Sequence, residues 1–496
     1  MLTRRRARLQ GAALGEEQRP PPVAAAPIAS LSDLSLELVF SFLDIPDLVR
    51  ASQVCTRWRD LCSSKRLWSS RRLNWWRWPL RAEEERALRA VRLLRRTQGV
   101  VRYEKVILTL GSCFSVSFSE DAGTLMLSTP SSLMALLSLR HLVKDHVKTL
   151  VLEEKLSLFT AFEALAVWET IASKTFITWL SITLCRASPL HGVVFDWPAR
   201  GSLTTLWFSV RDHAPFATLC RPIRSLLQVH RDQLARVDIR SKDQQGLLDF
   251  LPPRLRTLQA VILPSLIQVL KPLKFLGTLF LRAPRGEEEE CLRVLEKIFL
   301  LRNLWELCQL EILFQRGTCS VHDSWEVLAN IPGRFLRYVT LRGVCCSLSD
   351  PGDGPGALKD LLTSLPVVQT LKLDVEPATF PLHALLPRST DGRSAEPLAR
   401  LPDSLRLLTL GDADVPGRLC DSRWLQQLRR VMDDAQKLHV ILQGPCLPAK
   451  GGGGAPGRGR LCNAVILPHS TNHSCQECPA KVKGSHRVYI GELCDK

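Results

Sequence analysis

The chain has 496 residues, 66 Lys+Arg against 49 Asp+Glu, and 16 Cys, with 23% charged and 45% apolar residues. That mix excludes a wholly disordered or collagen-like chain, and the length predicts several domains or one elongated repeat domain. The formal charge of +17 points at first to a polyanion partner. Its distribution argues otherwise: residues 1–102 carry +10, residues 450–496 carry +4, and residues 103–449 only +3. A nucleic-acid binder is expected to carry its basic stripe on its main folded face.

Residues 1–27 read as a disordered basic tail, with Arg4-Arg5-Arg6-Ala7-Arg8 followed by Pro20-Pro21-Pro22 and an Ala/Pro run. The basic cluster fits either a nuclear address or a solvated tail. The tail has no apolar h-region, so it is not a secretory signal. No run of 18 uncharged apolar residues occurs, which argues against a membrane span. Scattered cysteines in a chain long enough to fold without staples imply a reduced cytoplasmic or nuclear setting.

Residues 28–75 form the next unit. Leu34, Leu38, Phe42 and Leu43 recur at helical spacing, as do Leu48, Ser52 and Cys55, then Trp58, Leu61 and Cys62. Pro46 and Asp47 punctuate them. The pattern predicts about three short helices over residues 32–68, each too short to stand alone in water. Residues 76–102 read as a linker helix and cap. Glu83-Glu84-Glu85 opens a helix that Arg95-Arg96 closes, as the helix dipole favours. Leu88, Val91 and Leu94 lie along one side, and Gly99 ends it. Trp75-Trp76-Arg77-Trp78, just before, fits stacking on bases, a membrane surface, or the seam between two folded units; the seam is the simplest of the three.

From residue 103 to 445 a different grammar holds. Short Leu-x-Leu segments return with first apolar positions at Leu150, Leu180, Leu206, Val237, Leu258, Leu279, Leu310, Val339, Leu371, Leu408 and Val440, spaced 21 to 37 residues apart. Helical patterns fall between them, for example at 160–172, 215–228, 287–301 and 421–435. Strand and helix alternating at this period are the signature of a leucine-rich repeat. The two apolar residues of each segment point the same way from a strand, and stacked repeats share one core. Gly352–Gly356 and Thr390–Pro397 are the expected insertions. Residues 446–461 read as a Gly-rich linker, and 462–496 as a poorly ordered tail. The fold class is therefore α+β overall: a small helical unit, then an irregular α/β solenoid with parallel strands on its concave face and helices on its convex face.

Residues Leu31 to Trp68 carry a specific motif: Leu34-Ser35-Leu36-Glu37-Leu38, Phe40, Leu43, Asp47-Leu48, Val54-Cys55-Thr56-Arg57-Trp58, Leu61 and Leu67-Trp68. In order and spacing it resembles an F-box, departing at Ser35, where that family usually has Pro; a Ser there can still cap a helix. With the repeats, the chain resembles the F-box/leucine-rich-repeat proteins. The resemblance implies a substrate receptor of an SCF-type cullin–RING ubiquitin ligase, without catalysis or cofactor of its own. It would bind the Skp adaptor, through it the cullin–RING core, and an unidentified protein substrate marked for proteasomal degradation. Carried over by position, the adaptor-binding residues are Leu34, Leu38, Phe40, Leu43, Leu48, Val54, Cys55 and Trp58. A unit of about 40 residues is near the limit of independent folding, so an exposed apolar remainder fits a docking role.

Residues beside the core positions of the strands should face outward and bind the substrate. These are Trp207, Asp238, Arg240, Phe280, Arg282, Glu311, Arg342, Lys372 and Asp374, mixed in charge and including two aromatics expected to be exposed. Cys475-x-x-Cys478 is half a zinc site without an evident second half, so no metal is expected. No nucleophile elbow or phosphate loop occurs, and Glu153-Glu154 and Glu287–Glu290 read as solvated faces. Two other readings stay open: a non-degradative interaction scaffold, and a nucleic-acid-associated protein using the basic N-terminal region.

Overall fold

A computed structural model of the chain describes residues 27–68, 72–73, 83–98, 100–112, 115–119, 123–185, 187–198, 201–210, 221–240, 245–284, 286–314, 327, 330–343, 354–373, 380, 382–385, 388–390, 393–395, 397, 399–411, 427–428, 431, 438–445, 461–467 and 485–489. Arg4–Arg8, Trp75–Trp78, Asp374, most of the helical pattern at 421–435, the Gly-rich segment 446–460, and Cys475 and Cys478 lie outside the described residues.

The N-terminal part is helical, with α1 (Asp33–Ser41), α2 (Ile45–Ala51), α3 (Thr56–Cys62) and the single turn α4 (Lys65–Trp68). Side-chain caps set the starts of the first three. Ser32 Oγ accepts from the Ser35 N–H, Asp44 from Asp47, and the Cys55 thiol from Trp58. Ser35 therefore sits inside the first turn of α1, and Ser32 is its cap. Pro46 lies in the first turn of α2, where its missing N–H costs nothing. Arg57 of α3 reaches back to Asp33 at 2.9 Å and to the Leu31 carbonyl at 2.6 Å, clasping the start of α1.

Helix α5 (Glu83–Thr97) follows. It buries Ala90, Val91, Leu93 and Leu94 and packs on both α2 and α6 (Ser132–Leu142). The helical unit also meets the sheet directly. The Trp68 indole, buried and held by its Nε1–H donating to the Cys62 carbonyl at 2.6 Å, lies edge-on to Phe118 with ring centres 5.1 Å apart.

The rest is strand-rich. Strands β1 (Arg72–Leu73), β2 (Lys105–Leu110), β3 (Ser115–Phe118) and β4 (Thr124–Thr129) form one end of a 17-stranded sheet. Here β1 and β4 both pair antiparallel with β3, and β4 pairs parallel with β2. Then β5 (Thr149–Glu154), β6 (Trp179–Leu184), β7 (Thr205–Val210), β8 (Arg236–Arg240), β9 (Thr257–Val261), β10 (Thr278–Arg282), β11 (Gln309–Leu313), β12 (Tyr338–Arg342) and β13 (Thr370–Leu373) add one by one in parallel. A two-strand hairpin, β14 (Arg388–Thr390) with β15 (Arg393–Ala395), occupies much of the Thr390–Pro397 insertion. Strands β16 (Leu407–Gly411) and β17 (His439–Pro445) continue the parallel order. Strands β18 (Leu461–Leu467) and β19 (Ser485–Tyr489) extend the sheet from the segment for which composition suggested little order. Val465 and Ile466 supply β-branched residues in β18.

Between strands the chain returns through α7 (Ala161–Ala172), α8 (Arg221–Val229), α9 (Gln245–Leu248), α10 (Leu266–Leu270), α11 (Glu288–Phe299) and α12 (Gly354–Ser364), with 3-10 turns at Pro189–His191, Arg302–Glu306 and Gly333–Phe335. Thr160 and Glu163 form a reciprocal capping box at the start of α7.

The eleven first apolar positions read from the sequence each fall second in a strand, and all are buried. They lie in one continuous register, Leu150 opposite Leu180, Leu180 opposite Leu206, and so on to Leu408 opposite Val440. Val106 extends this row by one strand. Register is fixed because a one-residue slip would turn every leucine to the other side.

Glu154 and Glu288 depart from the solvated faces expected of their neighbourhoods. Both are buried. Strand alternation puts Glu154 on the same side as Leu150 and Leu152, and burial raises its pKa. Glu288 turns inward to accept the Gly286 N–H at 3.0 Å.

Candidate functional site

Helix α1 carries two apolar stripes rather than one. Leu36 and Phe40 face inward, and Phe40 meets Trp58 edge-on with ring centres 5.1 Å apart. Leu34, Leu38 and Phe42, spaced by four residues, share the outward side. They are 70%, 62% and 82% exposed. Val39 and Val54 are also exposed, as are Ile28 and Leu31 ahead of α1. Exposed apolar patches are commoner at interaction sites than on ordinary surface.

The eight adaptor residues carried over by position therefore divide. Leu34, Leu38, Val54 and Cys55 are exposed, and Leu43 and Trp58 are half-buried. Phe40 and Leu48 are core residues, closed to any partner while the unit is folded. Both face inward because the short helices must bury something against one another. Cys55, a core candidate by residue type, is exposed and serves as the α3 cap. Phe42 is the most exposed of the outward residues and was missed as a site residue. Its four-residue spacing from Leu38 was the available signal.

Trp207, Asp238, Phe280, Glu311 and Lys372 do fall in one row across the sheet. Trp207 sits opposite Asp238, Asp238 and Phe280 flank Gln259, and Glu311 and Lys372 flank Thr340. Arg240, Arg282 and Arg342 form a second row two residues on, with Arg282 and Arg342 flanking Leu313. The expectation of exposed aromatics fails: Trp207 and Phe280 are half-buried.

Asp238 is buried outright. Arg240 holds it in a fork, Nε at 3.1 Å and Nη2 at 3.1 Å, and also donates to Gln259 at 3.2 Å. The same guanidinium lies 4.4 Å from the Trp207 ring centre. Burial raises the Asp238 pKa, while the hydrogen bonds and charge of Arg240, then the charge of Arg236, pull it down. These three side chains are already engaged with each other, and a ligand would have to displace one of them.

Among the described residues no group of three or more His, Cys, Asp or Glu is placed to hold a metal ion. No described helix is long and apolar enough to cross a membrane.

A family model described as F-box-like matches residues 35–74, which span α1 to β1. F-box domains generally bind Skp-type adaptors. No curated protein matches the chain.

Proposed function

We propose that the chain is the substrate-binding subunit of an SCF-type cullin–RING ubiquitin ligase. Its helical unit docks the Skp adaptor, and its strand-rich part is an irregular leucine-rich-repeat solenoid that holds a protein substrate. The observation that carries this reading is the F-box-like match falling on a unit whose α1 turns Leu34, Leu38 and Phe42 outward. The in-register Leu-x-Leu row supports the repeat reading, because units that cannot bury their own apolar face must stack. The chain supplies no bond-making group. It raises the effective concentration of a substrate lysine beside the ubiquitin-charged enzyme, which turns an encounter into a near-intramolecular step.

The test is retention. Full-length protein co-expressed with the Skp adaptor, cullin and RING subunit should hold all three through purification. Leu38→Glu with Phe42→Ser should cut adaptor retention at least about tenfold, equivalent to about 1.4 kcal/mol, while the thermal melt stays in place. No retention by the wild type, or unchanged retention by the double variant, overturns the reading. Adaptor retention without cullin-dependent ubiquitin transfer to bound proteins leaves a scaffold in its place.

A further inference from the structure

Apart from Phe162 on α7, the exposed aromatics among the described residues of the strand-rich part lie at one edge of the sheet rather than in the row across it. Phe275, Trp305 and Phe335 are 64%, 48% and 49% exposed. They sit in the turns leading into β10, β11 and β12. Three hydrogen bonds tie those turns and the next side by side ahead of the strands. The Cys308 N–H donates to the Gly277 carbonyl, Arg337 to Cys308 and Gln369 to Arg337, each at 2.8 Å. The Asn303 amide braces the second turn on the first, donating to the Leu270 and Leu273 carbonyls at 2.7 and 3.1 Å. The 3-10 turns bearing Trp305 and Phe335 pack on each other. Gly333 lets the turn bearing Phe335 approach the end of α12: a Cβ there would stand 1.8 Å from the Ser364 carbonyl oxygen.

These turns, residues 271–277, 301–308 and 332–337, are also basic. They expose Lys271, Lys274, Arg302, Arg334 and Arg337 against the single acid Glu306. None of the five cations is in an ion pair with a described residue. Strands stand about 4.8 Å apart, so the aromatics recur along a continuous edge with cations between them. Leu300 and Tyr338 add exposed apolar surface beside it.

We propose that this edge is a docking ridge for an acidic segment of a partner protein, one carrying Leu or aromatic residues among its carboxylates. Charge complementarity selects the occupant. A second copy of the chain would set cations against cations. A single nucleic-acid strand would need open ring faces for its bases, whereas the Arg334 guanidinium already lies over Phe335 at 5.5 Å. Exposed Leu300 and Val367 in the same neighbourhood favour a partner that brings side chains to desolvate. The ridge goes beyond the ligase reading and does not depend on it, since its residues are remote in sequence from the adaptor-docking helices.

The experiment pans the full-length chain against a displayed random-peptide library at about 150 mM salt. Enriched peptides should combine Asp or Glu with Leu, Phe or Trp. Their affinity should fall as salt rises. Trp305→Ser with Phe335→Ser, and separately Arg334→Glu with Arg337→Glu, should each weaken the best peptide by about tenfold or more, with melting and adaptor retention unchanged. If either pair lowers the melt, Lys274→Glu with Arg302→Glu, both exposed, replaces it. No enrichment, enrichment of neutral or basic peptides, or binding indifferent to these variants overturns the proposal. So does a random single-stranded oligonucleotide that binds more tightly than any peptide and is lost in the same variants. Adaptor retention reports on the helical unit alone, so failure here is distinct from failure of the ligase reading.

Discussion

The helical unit and the sheet use the same residues, leucine above all, to opposite ends. In α1, leucine and phenylalanine on opposite sides of the helix face inward and outward, and a good part of the apolar surface stays wet. In the sheet, the apolar residue second in each parallel strand from β5 to β13, and in β16 and β17, is buried. The difference is one of size and stacking. About forty residues in short helices have no interior large enough for all their apolar groups. A strand with another on each side has its core extended by both neighbours. Outward leucine is thus a signature of incompleteness in the first region, and inward leucine a signature of repetition in the second.

Three experiments break or sharpen that contrast. The largest effect is expected from Leu206→Asp. An unpaired carboxylate in the middle of the row has no partner to offset its lost hydration, and removing the leucine alone costs about 2.7–5 kcal/mol. The cooperative thermal transition of the sheet should be lost or moved far down, as read by near-UV circular dichroism. A transition that survives unshifted would mean that the strands do not share one core.

Next is the pair Phe40→Ala and Phe42→Ala. The first empties a fully buried site against Trp58 and should destabilise the helical unit by about 3–5 kcal/mol. The second trims a surface residue and should stay within about 0.5 kcal/mol. Hydrogen exchange of the α1 to α3 amides measures both. Equal effects would erase the two-stripe description of α1.

The smallest effect concerns pH. Burial depresses the pKa of His191 and His230 below the ordinary value of 6.5 in the folded sheet region, only partly offset by hydrogen bonds to the Cys185 carbonyl and the Gln233 side chain respectively. The unfolded chain then binds more protons than the folded one as pH falls through 6.5, so stability is lost on the acid side and is full above it. The described helical unit, residues 27–68, contains no histidine. Between pH 7.5 and 5.5 the sheet's melting point should fall more than that unit's exchange protection does, and His230→Phe should shrink the difference. A fall of the same size in the variant would remove His230 from the account.

The parallel row was legible because Leu-x-Leu states both the strand and its facing side, and register follows once neighbours share it. The sheet's beginning was not legible. Val106 and Leu108 fit the pattern, but β3 turns back antiparallel to β4 in a local hairpin, a reversal that the Leu-x-Leu spacing does not signal. In the helical unit, spacing identified the helices and left their orientation open. Leu34, Leu36, Leu38, Phe40 and Phe42 are all apolar, so periodicity does not say which stripe faces the other helices. That choice is made by Trp58 and by the clasp of Arg57 on Asp33. Asp238 was equally opaque. Its position in a strand argues for the surface, and its burial follows from the Arg240 fork two residues later. The aromatic edge escaped notice for a related reason. Phe275, Trp305 and Phe335 share no short motif and meet only because the strands that follow them are in register.

The Trp68 contact with Phe118 has a metrical consequence. It joins the helices to β3, the second strand from that end of the sheet, so every later strand lies a countable number of steps from the joint. From β3 to β11 there are nine steps, through β4, β2 and then β5 onward. At about 4.8 Å each they amount to roughly 43 Å measured along the sheet. On the proposed reading, a cargo held at Trp305 is presented at that set reach from the adaptor, and deleting one strand-and-helix unit would draw it in by a single step of this ruler.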